Sequence, residues 1–216
     1  MYSLMHFHFK FFLLILFFSQ GMSAGLQFLS IPSSANELIR FRSPWRNPAF
    51  LNSKGKSDEL SFAYGKWFGE TENLSFEWQG KFRLNSAGLK IRYVGINDIE
   101  LRGSTPSSEP IGYYGAYGVS SKVVTGFTNG NFNSGLALQM ISMQLYQDAS
   151  SGFAVDFGIS WQASKKFTIA GSVLNLGRMN PLRNERPILP TRLIGMAMYE
   201  LKGGDIFFSF EANELV

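Results

Sequence analysis

The residue types that usually carry enzymatic chemistry are scarce in this chain. There is no cysteine, and the two histidines, His6 and His8, both fall in an apolar leader. The remainder therefore offers no thiolate nucleophile, no disulfide and no thiolate metal site. It likewise holds no histidine for a Ser-His-Asp triad or a His-ligated metal. Carboxylates remain. Glu70 with Glu72, and Asp98 with Glu100, are close enough in sequence to pair, but both pairs lie in or near turn-like stretches and read as solvated side chains. Asp156 stands alone in the middle of an alternating run, on the face away from the apolar stripe. It reads as a lumenal ligand or gating contact, or as the interior partner of a basic residue such as Lys90 or Arg92. The second reading is preferred, because buried charges normally find partners. The Gly-rich string Gly112 to Gly118 follows neither a phosphate-binding nor a dinucleotide-binding pattern and reads as a strand with close backbone packing. No catalytic residue, cofactor or metal is expected.

The elements that would position Asp156 follow from composition and periodicity. In 216 residues, charged side chains make up 17%, aromatic ones 15%, and there are 22 Gly. That is fewer charges than an ordinary soluble surface carries. The net charge of +4 is spread too thinly for a nucleic-acid stripe, so no nucleic-acid partner is expected. Residues 1–24 read as a weakly basic start ending at Lys10, an apolar run from Phe11 to Phe18, then small and polar residues, which is the order of a cleaved signal peptide. Cleavage after Ala24 is the first choice, with Gly21 as the alternative. An uncleaved anchor is the competing reading, although the run is about half the roughly 20 residues that a spanning helix needs.

Beyond Ala24 no apolar run is long enough for a spanning helix, so a membrane can be crossed only by strands. From Glu59 onward the chain alternates with period 2. Strands are predicted around Leu60–Tyr64, Leu74–Trp78, Leu89–Leu101, Ile111–Val119, Ser134–Gln147, Phe153–Gln162, Phe167–Asn175, Arg192–Leu201 and Asp205–Glu211. A short piece near Leu26–Leu29 would be a tenth. Tight turns are predicted at Thr128–Asn131, Asp148–Gly152, Ala163–Lys166 and Lys202–Gly204, and longer loops near Gly103–Pro110 and Arg178–Pro190. A soluble β-sandwich shares this alternation. The segment lengths, the Phe, Tyr and Trp at strand ends, and the small residues Gly158, Ser160, Ala170 and Ser172 opposite the apolar stripe favour an antiparallel transmembrane β-barrel.

Particular strings carry a resemblance. AGLQFLSIPSSANEL, Asn47-Pro48-Ala49 followed by Leu51, LSFAYGKWF (Leu60 to Phe68), GFAVDFGISW (Gly152 to Trp161) and VLNLG (Val173 to Gly177) occur in an order that resembles the PorV/PorQ family of outer-membrane barrels, within the FadL-like superfamily. The Gly-Gly-Ala and acidic pair usual before the Asn-Pro-Ala element are replaced by Leu38 to Arg46. The family's barrels are usually larger, and Glu211–Val216 lacks the terminal aromatic of many such barrels, which implies a reduced or incomplete barrel. The resemblance implies a signal peptide over 1–24, a plug or periplasmic segment over 25–58 and a barrel over 59–216. It also implies a place in the outer membrane of a Gram-negative type cell. The implied function is non-enzymatic, either handling exported cargo with a type IX secretion system, or passing hydrophobic small molecules as a FadL-like channel with an N-terminal plug. The implied partners are the outer-membrane lipid bilayer, exported cargo proteins and other secretion components. Asn47, Pro48, Ala49, Asp156, Asn175, Leu176 and Gly177 are the residues singled out, with structural roles as turns and strand-end caps preferred. A soluble periplasmic β-domain is the third reading.

Overall fold

A computed structural model describes residues 26–34, 37, 40, 42–52, 58–82, 85–104 and 108–214. The expected signal peptide lies outside them. Nine strands are described: β1 (Glu59–Lys66), β2 (Glu72–Phe82), β3 (Asn85–Leu101), β4 (Gly112–Asn129), β5 (Phe132–Leu145), β6 (Asp148–Gln162), β7 (Phe167–Met179), β8 (Thr191–Leu201) and β9 (Gly204–Glu214). They form one sheet in chain order, and every neighbouring pair is antiparallel. The fold is thus all-β. The sheet is open, because among the described residues no pairing joins β1 to β9.

The strands outrun the alternation that announced them. β4 continues through Ser120 to Asn129, where the run Ser-Ser-Lys had interrupted the apolar stripe without interrupting the pleat. β6 begins at Asp148, so the predicted turn over Asp148–Gly152 is corrected. The chain reverses at Tyr146 and Gln147, with Tyr146 at φ 55°, and Ala149, Ser150 and Ser151 pair with Gln144, Met143 and Ser142. Asp98 and Glu100 sit within β3 at a register shift between Ile96 and Ile99, Asp98 at φ 59°. The tenth strand is also corrected, since Gln27–Leu29 is a single 3-10 turn. Glu37 is helical, and its neighbours at 35, 36, 38 and 39 lie outside the described residues.

Connections sort by rim. Residues 130–131, 163–166 and 202–203 turn tightly at one rim, whereas 67–71, 180–190 and the described parts of 102–111 lie at the other, beside the tight turn at 146–147. The described part of residues 26–52 lies on the concave face. Leu26 and Phe28 join an apolar cluster with Ile141, Ala154 and Met179, Phe50 joins one with Leu174 and Ile194, and Trp45 and Leu51 join one with Val124 and Ala137. Among the described residues three small clusters fix the inner segment to the sheet.

The two faces of the sheet differ in chemistry. Along β6 the convex positions Phe153, Val155, Phe157, Ile159 and Trp161 are exposed, at 37% to 59%, while Ala154, Asp156 and Ser160 opposite them are at most 2% exposed. The pattern repeats in β5, where Leu136, Leu138 and Met140 face out and Ala137, Gln139 and Ile141 face in. The outer face is apolar, and the inner one mixes paired polar groups with small apolar clusters.

Candidate functional site

Asn47, Pro48 and Ala49 sit where the inner segment crosses β5, β6 and β7. Asn47 is fully buried. Its Nδ2 donates to the carbonyls of Ile159 at 3.1 Å and Gly171 at 3.0 Å, and its Oδ1 accepts from the Ala49 N–H at 2.9 Å. Ile159 and Gly171 face each other across β6 and β7, so one amide clips two strands at once. The approach requires glycine beneath it. A Cβ on Gly158 would stand 2.1 Å from Asn47 Oδ1, and one on the cross-strand Gly135 would stand 2.3 Å from the carbonyl carbon of Pro48. Ser172 adds a hydrogen bond to the Arg46 carbonyl at 2.6 Å.

Asp156 and Asn175 are brought together. The β6–β7 register slips between Val155 and Phe157, and Asn175 takes φ 61°, a left-handed conformation that Asn tolerates better than most side chains. Its N–H donates to Asp156 Oδ1 at 2.7 Å, and its Nδ2 donates to the Pro190 carbonyl at 2.9 Å. Asp156 Oδ2 accepts from Lys122 Nζ at 2.5 Å. The carboxylate is 1% exposed and ties the bulge to β4. Leu176 points outward, half exposed. At Gly177 a Cβ would lie 2.0 Å from the Phe153 carbonyl oxygen, so that residue is set by the close approach of β6.

Asp156 does have a basic partner, but it is Lys122, and the expected Lys90 and Arg92 are corrected. Lys90 and Arg92 lie on β3, three strands from β6, and adjacent strands stand about 4.8 Å apart. Lys122 on β4 is one strand nearer. Lys90 instead meets Glu37 at 2.8 Å and Glu77 at 3.1 Å, with Ser33 bonded to both carboxylates. Burial pushes the Glu37 carboxyl up, but the Lys90 charge, its hydrogen bond and those from Ser33 together outweigh burial and hold it at about 2. Arg192 on β8 pairs with Glu211 at 2.7 Å, and Arg46 reaches the same carboxylate at 3.4 Å.

Alternation puts Lys122 inward with Gly118 and Ser120 once β4 is extended, and Glu77 inward with Ser75 and Gln79, but it does not say which partner lies within reach. Glu37 carried no such signal, because its place depends on how the inner segment folds back. The carboxylate pairs read as solvated are exposed or half-buried. Glu70 pairs with Lys66, Tyr64 donates to Glu72 at 3.3 Å, and Glu100 pairs with Arg102 at 2.7 Å.

A cavity of about 170 Å³ opens at the tight-turn rim among Arg42, Phe50, Asn131, Asn133, Gln162 and Thr168, its lining a mixture of polar and apolar surface. Among the described residues no helix is long and apolar enough to cross a membrane, which says nothing about crossing by strands. No protein-family model matches this chain, and no curated protein is similar enough to it to suggest a relative.

Proposed function

We propose that this chain is a non-enzymatic outer-membrane protein whose sheet is barrel wall, with its convex face in lipid and residues 26–52 as a plug. The observation that carries the reading is the inversion along β6, in which Phe153, Val155, Phe157, Ile159 and Trp161 are exposed while a paired Asp156–Lys122 is buried on the opposite side. Water is a poor solvent for so broad an apolar stripe, and exposed patches of that size mark a surface meant for something else. Lipid tails suit it. β2 to β9 hold 11 to 18 residues each, enough for the roughly 9 to 11 that a tilted strand needs to span. Tight turns gathered at one rim and long loops at the other fit the asymmetry of outer-membrane barrels.

Within that reading, handling exported cargo beside a type IX secretion system is the first function, in keeping with the PorV/PorQ-like strings. The inner segment is locked by the Asn47 clip and by buried ion pairs. A locked, charged interior does not suit a conduit for hydrophobic molecules. The FadL-like channel is kept as a second reading because a segment of the chain does occupy the concave face, as a plug would. Washing membranes with carbonate and urea tests the shared premise, since an integral wall stays with the membrane and a soluble β-domain is released. Cargo pull-down against uptake of a hydrophobic dye then separates the two functions.

A further inference from the structure

The apolar stripe of the convex face ends at a definite row of residues. Phe153 on β6 faces Met140 of β5 on one side and Arg178 of β7 on the other. Two residues nearer the long-loop rim, Ser151 faces Ser142, and its carbonyl accepts from the Asn180 N–H at 2.7 Å. All six of these residues are exposed. Moving toward that rim, the outward surface therefore changes from Leu138, Val155 and Leu176 to a guanidinium, two hydroxyls and an amide.

Charge on the convex face is confined to this level. Apart from Asp98 in the β3 bulge, the charged side chains described on the convex parity of the strands are Lys66, Glu72, Glu100 and Arg178, all at strand ends that meet the long-loop rim. Toward the tight-turn rim the outward positions carry Phe127, Phe132, Trp161 and Phe167 instead. Three of the four charges are satisfied within the chain: Lys66 meets Glu70, Glu72 accepts from Tyr64, and Glu100 meets Arg102. Among the described residues Arg178 has neither an ion pair nor a side-chain hydrogen bond. Asp148, at the start of β6, is taken by Arg183 at 2.5 Å. Ser151 Oγ accepts from Asn180 Nδ2 at 3.3 Å, which leaves its O–H to donate.

We propose that Arg178 holds the phosphomonoester of an anionic lipid headgroup, with the Ser151 and Ser142 hydroxyls as further donors. The inference rests on the convex face lying in lipid. A guanidinium two residues beyond Leu176, the last apolar outward side chain of β7, then stands where hydrocarbon gives way to headgroups, and its fork matches phosphate oxygens in pairs. No carboxylate shares its row to repel the phosphate.

The test uses the purified full-length chain carrying a fluorophore on Met140→Cys, the only thiol, in phosphatidylcholine vesicles. Brominated phosphatidic acid or brominated phosphatidylcholine is added, and quenching reads which lipid occupies the site beside residue 140. Phosphatidic acid is expected to be preferred by about fivefold, the gain usual for one basic residue at an anionic surface. Arg178→Gln should bring the ratio close to one. The side chain is exposed, so this variant leaves the core intact. Lys66→Gln, which removes an ammonium already paired and far from residue 140, should leave the ratio unchanged. Equal quenching by the two lipids, or a preference that survives Arg178→Gln, would overturn the proposal and leave the wall reading standing. Loss of the preference in excess inorganic phosphate would assign a free-ion site and overturn the lipid one. Absence of quenching by either lipid would remove the convex face from lipid, and both readings with it.

Discussion

Asp156 and Lys122 form a buried pair whose members need each other more than the fold needs the pair. Replacing one partner leaves the other charged and dry, so Asp156→Asn or Lys122→Met alone is expected to cost about 3–5 kcal/mol in urea unfolding. The double variant Lys122→Met, Asp156→Asn should recover much of that loss, and a double loss equal to the sum of the singles would show that the two do not interact. Glu37 makes a different prediction, read with pH. Its carboxyl is held at about 2 in the folded chain, below the ordinary 4.5, so its contribution to stability is in full above about 4.5 and is lost as pH falls toward 2. Glu37→Gln should flatten the urea midpoint over that window, and an unchanged pH profile would remove Glu37 from the account. Asp156 was legible in the sequence as an inward carboxylate because the pleat fixes parity. Its partner was not, because parity says which face a residue occupies and nothing about which strand lies within reach.

At the scale of elements, the β6 ribbon and the Asn47-Pro48-Ala49 turn are made for one another through Gly135 and Gly158. Gly158→Ala would press a methyl group into the Asn47 side chain, and we expect a loss of about 1–3 kcal/mol from this overpacking. Gly195, which has nothing within 4 Å of its absent Cβ, is the control, and its alanine variant should unfold close to wild type. If both variants unfold alike, the clip does not hold the inner segment in place. Strand existence was readable nearly everywhere from period-2 alternation, and strand ends were not. Ser120 to Asn129 and Asp148 to Gly152 lack a continuous apolar stripe, yet ladder hydrogen bonding carries β4 and β6 through them. The Asn175 bulge could not be foreseen from alternation, because its left-handed backbone matters only when β6 and Pro190 are beside it.

For the whole molecule the question is what solvates the convex face. β9 is exposed on nearly every residue, Phe207 on the concave side as well as Phe208 and Phe210 on the other. In hydrocarbon, free edges such as those of β1 and β9 would leave backbone groups unpaired at several kcal/mol each, so in lipid both edges must find partners. Phe157→Lys separates the solvents energetically. At the lipid midplane it should cost about 2–4 kcal/mol, whereas a water-facing position would register within about 0.5 kcal/mol. The absence of cysteine makes the most direct measurement clean. Single cysteines at 153, 154, 155, 157, 159 and 160, spin-labelled in bilayers, can be read for collision with oxygen dissolved in lipid and with a water-soluble relaxer. The account predicts strong oxygen collision at 153, 155, 157 and 159 and shielding from both agents at 154 and 160. Collision of the odd positions with the aqueous agent instead would contradict it.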